Sequence, residues 1–189
     1  MKKARSIFFS WLPLAIAVTG LCLLVHVAVQ QNYRQSLNDP QIQMAEDGAA
    51  KLSAGGAPAD VVARGEMIDM AQSLAPWIAV YDNTGMPLEA NAFLDGAPPK
   101  PPKGVFDAAK SANPTHEDRI SWQPSSDVRQ AIVIVYVPQK DEYVVAGRNM
   151  REVEDREGQL GTFVLLAWLA IMGATLFAKI LGHYCRARA

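Results

Sequence analysis

The sequence predicts an α+β protein: a five-stranded antiparallel sheet with flanking helices, set between two transmembrane α-helices. Three observations predict it. Two long runs, 7–29 and 158–178, contain no Asp, Glu, Lys or Arg. The remaining charges are sorted along the chain. Between the runs, apolar residues recur first at helical spacing and then in short β-rich stretches divided by turn residues.

All 19 acidic residues fall between positions 39 and 157, and 12 of the 18 basic ones between 34 and 156, so the middle, 34–157, nets −7 while the two ends together carry +6. An acidic folded part repels phosphate, which argues against nucleic acid as a partner. Each uncharged run reaches the roughly 20 residues that a helix needs to cross about 30 Å of hydrocarbon. The first run is too long for the apolar core of a cleaved signal peptide, and no small-x-small site follows it. Leu21 precedes Cys22, where lipoprotein processing would need a small residue. Basic flanks stay in the cytoplasm. The expected organisation is therefore a cytoplasmic N-terminus over 1–6, a transmembrane helix over 7–29, an extracytoplasmic domain over 30–157, a second span over 158–181 and a cytoplasmic tail over 182–189, in the inner membrane. The two cysteines, Cys22 and Cys185, both lie outside the middle domain, so that domain is no disulfide scaffold.

Within the domain, Asp39–Pro40 reads as a helix start, with a capping Asp and Pro in the first turn. Ile42, Ala45, Ala49 and Leu52 continue it at helical spacing, and the small and breaking residues of 53–58 end it. Met67, Met70, Ala71 and Leu74 predict a second helix over 60–74, weakened at Gly65 and stopped by Pro76. A short apolar strand follows over 77–81. Asp82-Asn83-Thr84-Gly85 predicts a turn, and 87–91 a returning strand with Pro87 at its start. The proline-rich stretch 97–103 reads as a stiff loop and 104–110 as a short helix. Three more strands are expected over 119–122, 129–137 and 142–147, joined by turns at 123–127 and 138–141 and hence antiparallel. Ile132 and Ile134 alternate with Val133 and Val135, so both faces of that strand should be covered. From 149 to 181 nothing breaks a helical pattern, and Glu152 with Arg156 and Arg151 with Asp155 are paired i, i+4. Such a helix is roughly 50 Å long, about 20 Å more than a bilayer core needs.

This order of span, helices, two strands, crossover, three antiparallel strands and span resembles the PAS-like, Cache-type extracytoplasmic sensor domains of bacterial membrane receptors. Val80-Tyr81-Asp82-Asn83-Thr84-Gly85 looks like their first hairpin. Residues 143–148 followed by Arg151-Glu152-Val153-Glu154 look like their last strand entering the exit helix. The likeness covers about residues 33–160. It implies a domain that binds small metabolites, often carboxylates, and transmits occupancy. No kinase, cyclase or chemoreceptor module follows the second run, so the expected signal leaves through a membrane partner or a second copy.

Three arginines at strand ends, Arg119, Arg129 and Arg148, are candidates for holding a ligand carboxylate in a bidentate pair. Each could equally form a surface ion pair worth under about 1 kcal/mol. Arg129, beside the longest strand, is preferred, with Trp122 and Tyr136 as walls of the ligand site. Catalysis and cofactors are not expected. His116 is the one histidine of the middle domain, and His116-Glu117-Asp118 stands alone as a metal-ligating cluster. Ala170, Ala174 and Ala178 form a small-residue ridge at which a second helix could approach closely. The alternative to a sensor is a structural or assembly factor of the cell envelope that binds protein, with an outer hydrolase a distant third.

Overall fold

The computed structural model describes residues 2–62, 65 and 67–186, with side chains at 5, 7–33, 40–62, 65 and 67–185. The elements are α1 (Lys2–Ser53), α2 (Pro58–Val61), β1 (Ile68–Asp69), β2 (Trp77–Tyr81), β3 (Pro87–Ala90), β4 (Ala92–Phe93), α3 (Lys103–Ser111), β5 (Glu117–Ser125), β6 (Val128–Val137), β7 (Glu142–Asn149) and α4 (Arg151–Arg186). They form two compact units, one Arg34–Glu154 and the other made of the two ends, through Tyr33 and from Asp155.

The unit Arg34–Glu154 is an antiparallel five-stranded sheet in the order β3-β2-β7-β6-β5. The α+β class and the five antiparallel strands are those expected from the sequence. The first and last strands, β2 and β7, lie side by side, with Trp77 opposite Gly147 and Tyr81 opposite Tyr143. Strand β6 is interior, as its doubly apolar pattern predicts, while β7 holds the middle position.

Period-2 alternation divides the core into two layers. On one face Ile78, Val80, Val133, Val137, Val144 and Ala146 meet Ala45, Ala49 and Leu52 of α1. On the other Trp77, Ala79, Tyr81, Ile132, Ile134, Tyr143 and Val145 meet Phe106 and Ala109 of α3. Gly48 permits the close approach of α1. A Cβ there would lie 2.9 Å from Val61 Cγ1, 3.0 Å from Val144 Cγ1 and 3.1 Å from Ile78 Cδ1.

Three local expectations are corrected. No helix begins at Asp39–Pro40, because α1 runs through that position from the N-terminal apolar run. Pro40 withdraws one helical hydrogen bond, and the turns beyond it are held by burial of Ala45, Ala49 and Leu52. The helix over 60–74 is replaced by the four-residue α2 and by β1, which pairs in parallel with β4; Ala63, Arg64 and Glu66 of that expected helix lie outside the described residues. Met70 is buried, and its carbonyl accepts from Gln130 Nε2 at 3.0 Å and Asn149 Nδ2 at 2.9 Å, so it is unavailable to a helical ladder. Finally, β5 extends to Ser125. Pro124 is tolerated because β5 is an edge strand with an irregular register between Trp122 and Ser125.

In the other unit the apolar parts of α1 and α4 pack as an antiparallel pair. Trp11 Nε1 donates to Thr175 Oγ1 at 3.0 Å, Trp168 Nε1 to Thr19 Oγ1 at 2.9 Å, and Gln30 Nε2 to Glu157 Oε2 at 3.4 Å. Ala15 is buried between them, while Phe8, Leu24, Phe163 and Phe177 are exposed. Residues 7–33 and 151–185 are long and apolar enough to cross a membrane, by length and composition. This is compatible with a two-span membrane protein.

The tightest fit in the sheet domain gives a test. A Cβ at position 147 would lie 2.4 Å from Cζ2 of Trp77, whose indole is fully buried. Gly147→Ala should destabilise the full chain in detergent micelles by about 1–3 kcal/mol, as other overpacked cores do. Gly104→Ala, whose Cβ meets nothing within 4 Å, should leave the thermal midpoint unchanged or slightly raised.

Candidate functional site

Two surfaces of the sheet domain gather polar side chains. The first lies where α3 meets the ends of the strands. Amphipathic α3 seats Phe106 and Ala109 on the sheet and leaves Lys110 in its last turn, free to reach across to Asp141. Asp141 lies in the β6–β7 turn at φ 53°, a conformation that Asp tolerates better than most residues. Its Oδ1 accepts from Lys110 Nζ at 2.7 Å and Tyr136 Oη at 2.9 Å, and its Oδ2 from Asn83 Nδ2 at 3.0 Å. The Lys110 ammonium also sits 4.8 Å from the centre of the Tyr136 ring.

These donors, Lys110 first, then Asn83 and Tyr136, hold the Asp141 carboxyl at about 2. The bond to Asp141, then Tyr136, pushes Lys110 up. Asp82 is lowered as well, first by the Thr84 hydroxyl and then by backbone N–H groups of its turn. Beneath α3 the rings of Tyr81, Phe106, Tyr143 and Tyr136 follow one another at 5.1–5.2 Å. Tyr81 donates to Pro99 O at 2.8 Å, and burial raises its pKa. His116 meets Tyr136 edge-on at 5.7 Å, and its buried Nδ1 has no hydrogen-bond partner among the described residues. The arrangement staples α3, the β2–β3 turn and the β6–β7 turn through one carboxylate.

The second surface is a cleft of about 370 Å³ between α1 and β2. Pro40, Met44, Asp47 and Lys51 recur at i, i+4, i+7 and i+11 along α1, with Gln43 and Gly48 beside them; Val61, Ile78 and Asn91 complete the lining. Asn91 is fixed by the backbone of Ile78, whose N–H donates to Asn91 Oδ1 at 2.8 Å and whose carbonyl accepts from Asn91 N at 3.2 Å. A smaller recess of about 150 Å³, lined by Val62, Met67, Glu89 and Ala90 among others, shares Asn91. In the helix-pair unit a further cleft of about 360 Å³ is lined by Thr19, Cys22, His26, Gly161 and Trp168.

The residues singled out from the sequence do not converge. Tyr136 belongs to the Asp141 cluster. Trp122 packs on the same layer of the sheet, opposite Gln130. Six residues of β6 therefore separate it from Tyr136, about 20 Å. Arg129, at an odd position of β6, falls on the other face and pairs with Glu154 at 3.0 Å. Arg148 donates to Leu74 O at 3.0 Å and to Glu152 at 2.9 Å, and Arg119 pairs with Glu117. The sequence reading missed Asp141 and the face of α1 bearing Asp47 and Lys51. The i, i+4 spacing of that pair was visible; the cleft beside it depends on residues distant in the chain.

No protein-family model matches the chain, and neither a curated protein nor a solved structure matches it.

The Asp141 staple has a signed dependence on pH. Its folded-state pKa is depressed, so its stabilisation is present above the ordinary value of 3.8 and is lost as the pH falls towards about 2. Melting curves between those pH values should show a steeper loss for wild type than for Asp141→Asn. Lys110→Met should flatten the curve in the same window.

Proposed function

We propose that the chain is a membrane-anchored extracytoplasmic sensor, a non-enzymatic ligand-binding protein that acts through a separate partner, with a PAS-like, Cache-type sheet domain. One observation carries this reading above the rest: β7, the middle strand of the sheet, passes directly into α4, the helix that bears the second apolar run. The junction is built firmly. Met150 N donates to Arg129 O at 2.9 Å, and Arg151 N to Asn149 Oδ1 at 2.8 Å. The other apolar run belongs to α1, whose C-terminal turns supply one layer of the core. A ligand that favours one packing of α1 on the sheet would thereby favour one arrangement of both helices. The hairpin, the crossover through α3 and the three-stranded meander keep the element order on which the resemblance rests. The exposed ridge of Ala170, Ala174 and Ala178 on α4 offers a partner helix close approach.

A structural or assembly role in the cell envelope is favoured by a different observation. Met86 and Leu88 are exposed beside each other at the edge strand β3, as a protein-binding surface would require.

Topology and ligand response test the sensor. In a Cys22→Ser, Ser126→Cys chain, a membrane-impermeant maleimide should modify position 126 in intact spheroplasts and reach Cys185 only after lysis. A library of carboxylates, amino acids and sugars should contain at least one compound that raises the thermal midpoint of the full chain in micelles. No stabilisation by any compound, together with stoichiometric capture of an envelope protein that is lost in Leu88→Asp, would establish the assembly role instead.

A further inference from the structure

We propose that the cleft between α1 and β2 binds a free amino acid with an apolar side chain, in its zwitterionic form. The inference rests on the sensor reading and names the ligand class for it. Asp47 and Lys51 stand four residues apart with the acid first, the order that normally closes into an ion pair on a helix. Here they do not close, and neither side chain has a partner among the described residues. Two uncommitted opposite charges, with Cβ atoms about 5–6 Å apart, thus share the lining of one cleft. An α-ammonium beside Asp47 and an α-carboxylate beside Lys51 answer both at once. A simple carboxylate or a simple amine answers one and leaves the other unpaired.

The remaining walls agree with this assignment. Asn91 Oδ1 is taken by the Ile78 backbone, which leaves its Nδ2 to donate a second bond to the carboxylate. Met44, Val61 and Ile78 give the cleft apolar walls, and its volume of about 370 Å³ accommodates a side chain of leucine or phenylalanine size. Gly48 brings the helix within reach of β7 at this point, so an occupant touches the packing that the sensor reading needs to change.

The test uses the full chain in detergent micelles. Its ligands are L-leucine, L-isoleucine, L-valine, L-methionine and L-phenylalanine, with isovalerate and 3-methylbutylamine as the single-charge counterparts of leucine. At least one amino acid should raise the thermal midpoint and give a calorimetric binding isotherm, and neither counterpart should. Asp47→Asn and Lys51→Met should each weaken binding about 10- to 100-fold, the cost of one charge-assisted hydrogen bond. Both residues are exposed, so the ligand-free midpoint should not move. The proposal is overturned if no apolar amino acid binds, or if both variants bind as well as wild type. A ligand of another class, indifferent to both variants, would overturn it while leaving the sensor reading in place. Failure of every class would remove both.

Discussion

The fit of one indole against one glycine organises the sheet domain. Trp77 opens β2 fully buried, and its ring occupies the volume that a side chain at position 147 of β7 would need. Burying an indole also obliges its N–H to find an acceptor. Gln130 of β6 supplies one, its Oε1 lying 3.0 Å from Trp77 Nε1. The other end of that amide then requires an acceptor, found in Met70 O, which Asn149 also engages. Three strands and the segment before β2 are joined by one satisfied network. Replacing any member strands a buried partner at about 1–3 kcal/mol, so the network fixes the register of β2, β7 and β6 together.

That network also marks where the sequence stopped being legible. Strands β2, β6 and β7 could be read because alternation and turn chemistry are local signals. So could the exit helix, which has no breaker between Arg151 and Arg186. The stretch 60–74 could not. Its apolar residues have helical spacing, yet Met70 is held by amides 60 and 79 positions away in sequence. Tertiary hydrogen bonding outweighs a helix propensity of a few tenths of a kcal/mol per residue. The continuity of α1 through Pro40 was hidden for the same reason: the burial of the turns that follow decides it, and that burial depends on the sheet.

The candidate site divided along similar lines. Arg129, Trp122 and Tyr136 look adjacent when strand ends and aromatic residues are counted. Strand parity separates Arg129 from Tyr136, and distance along β6 separates Trp122 from Tyr136. Ile132, Ile134 and Tyr136 face one layer, and Val133 and Val137 the other, so Arg129 cannot share a face with Tyr136. The Asp141 staple required the meeting of α3 with two turns, which no local pattern announces. Its effect on the molecule is nevertheless clear from its chemistry. A carboxylate with three donors ties α3 to two turns, and Phe106 of α3 packs on a face lined by tyrosine rings. The opposite face of the sheet is the one covered by α1.

On that face the helix contacts the sheet through small residues followed by Leu52. Ala45, Gly48 and Ala49 bring the backbone of α1 close to Ile78 and Val144, and Gly48 also lines the open cleft. Val144 belongs to β7, which continues through Asn149 and Met150 into α4. Small residues give close contact with little side-chain interlocking, so a slight shift of α1 changes few rotamers. Large interdigitated side chains would resist the same shift. A ligand can move such an equilibrium only by the difference in its affinity for the two arrangements. For the ligand proposed above, contact with Asp47 and Lys51 on one side, and with Ile78 and Asn91 on the other, would provide that difference, because the two sets belong to the two surfaces whose separation would change.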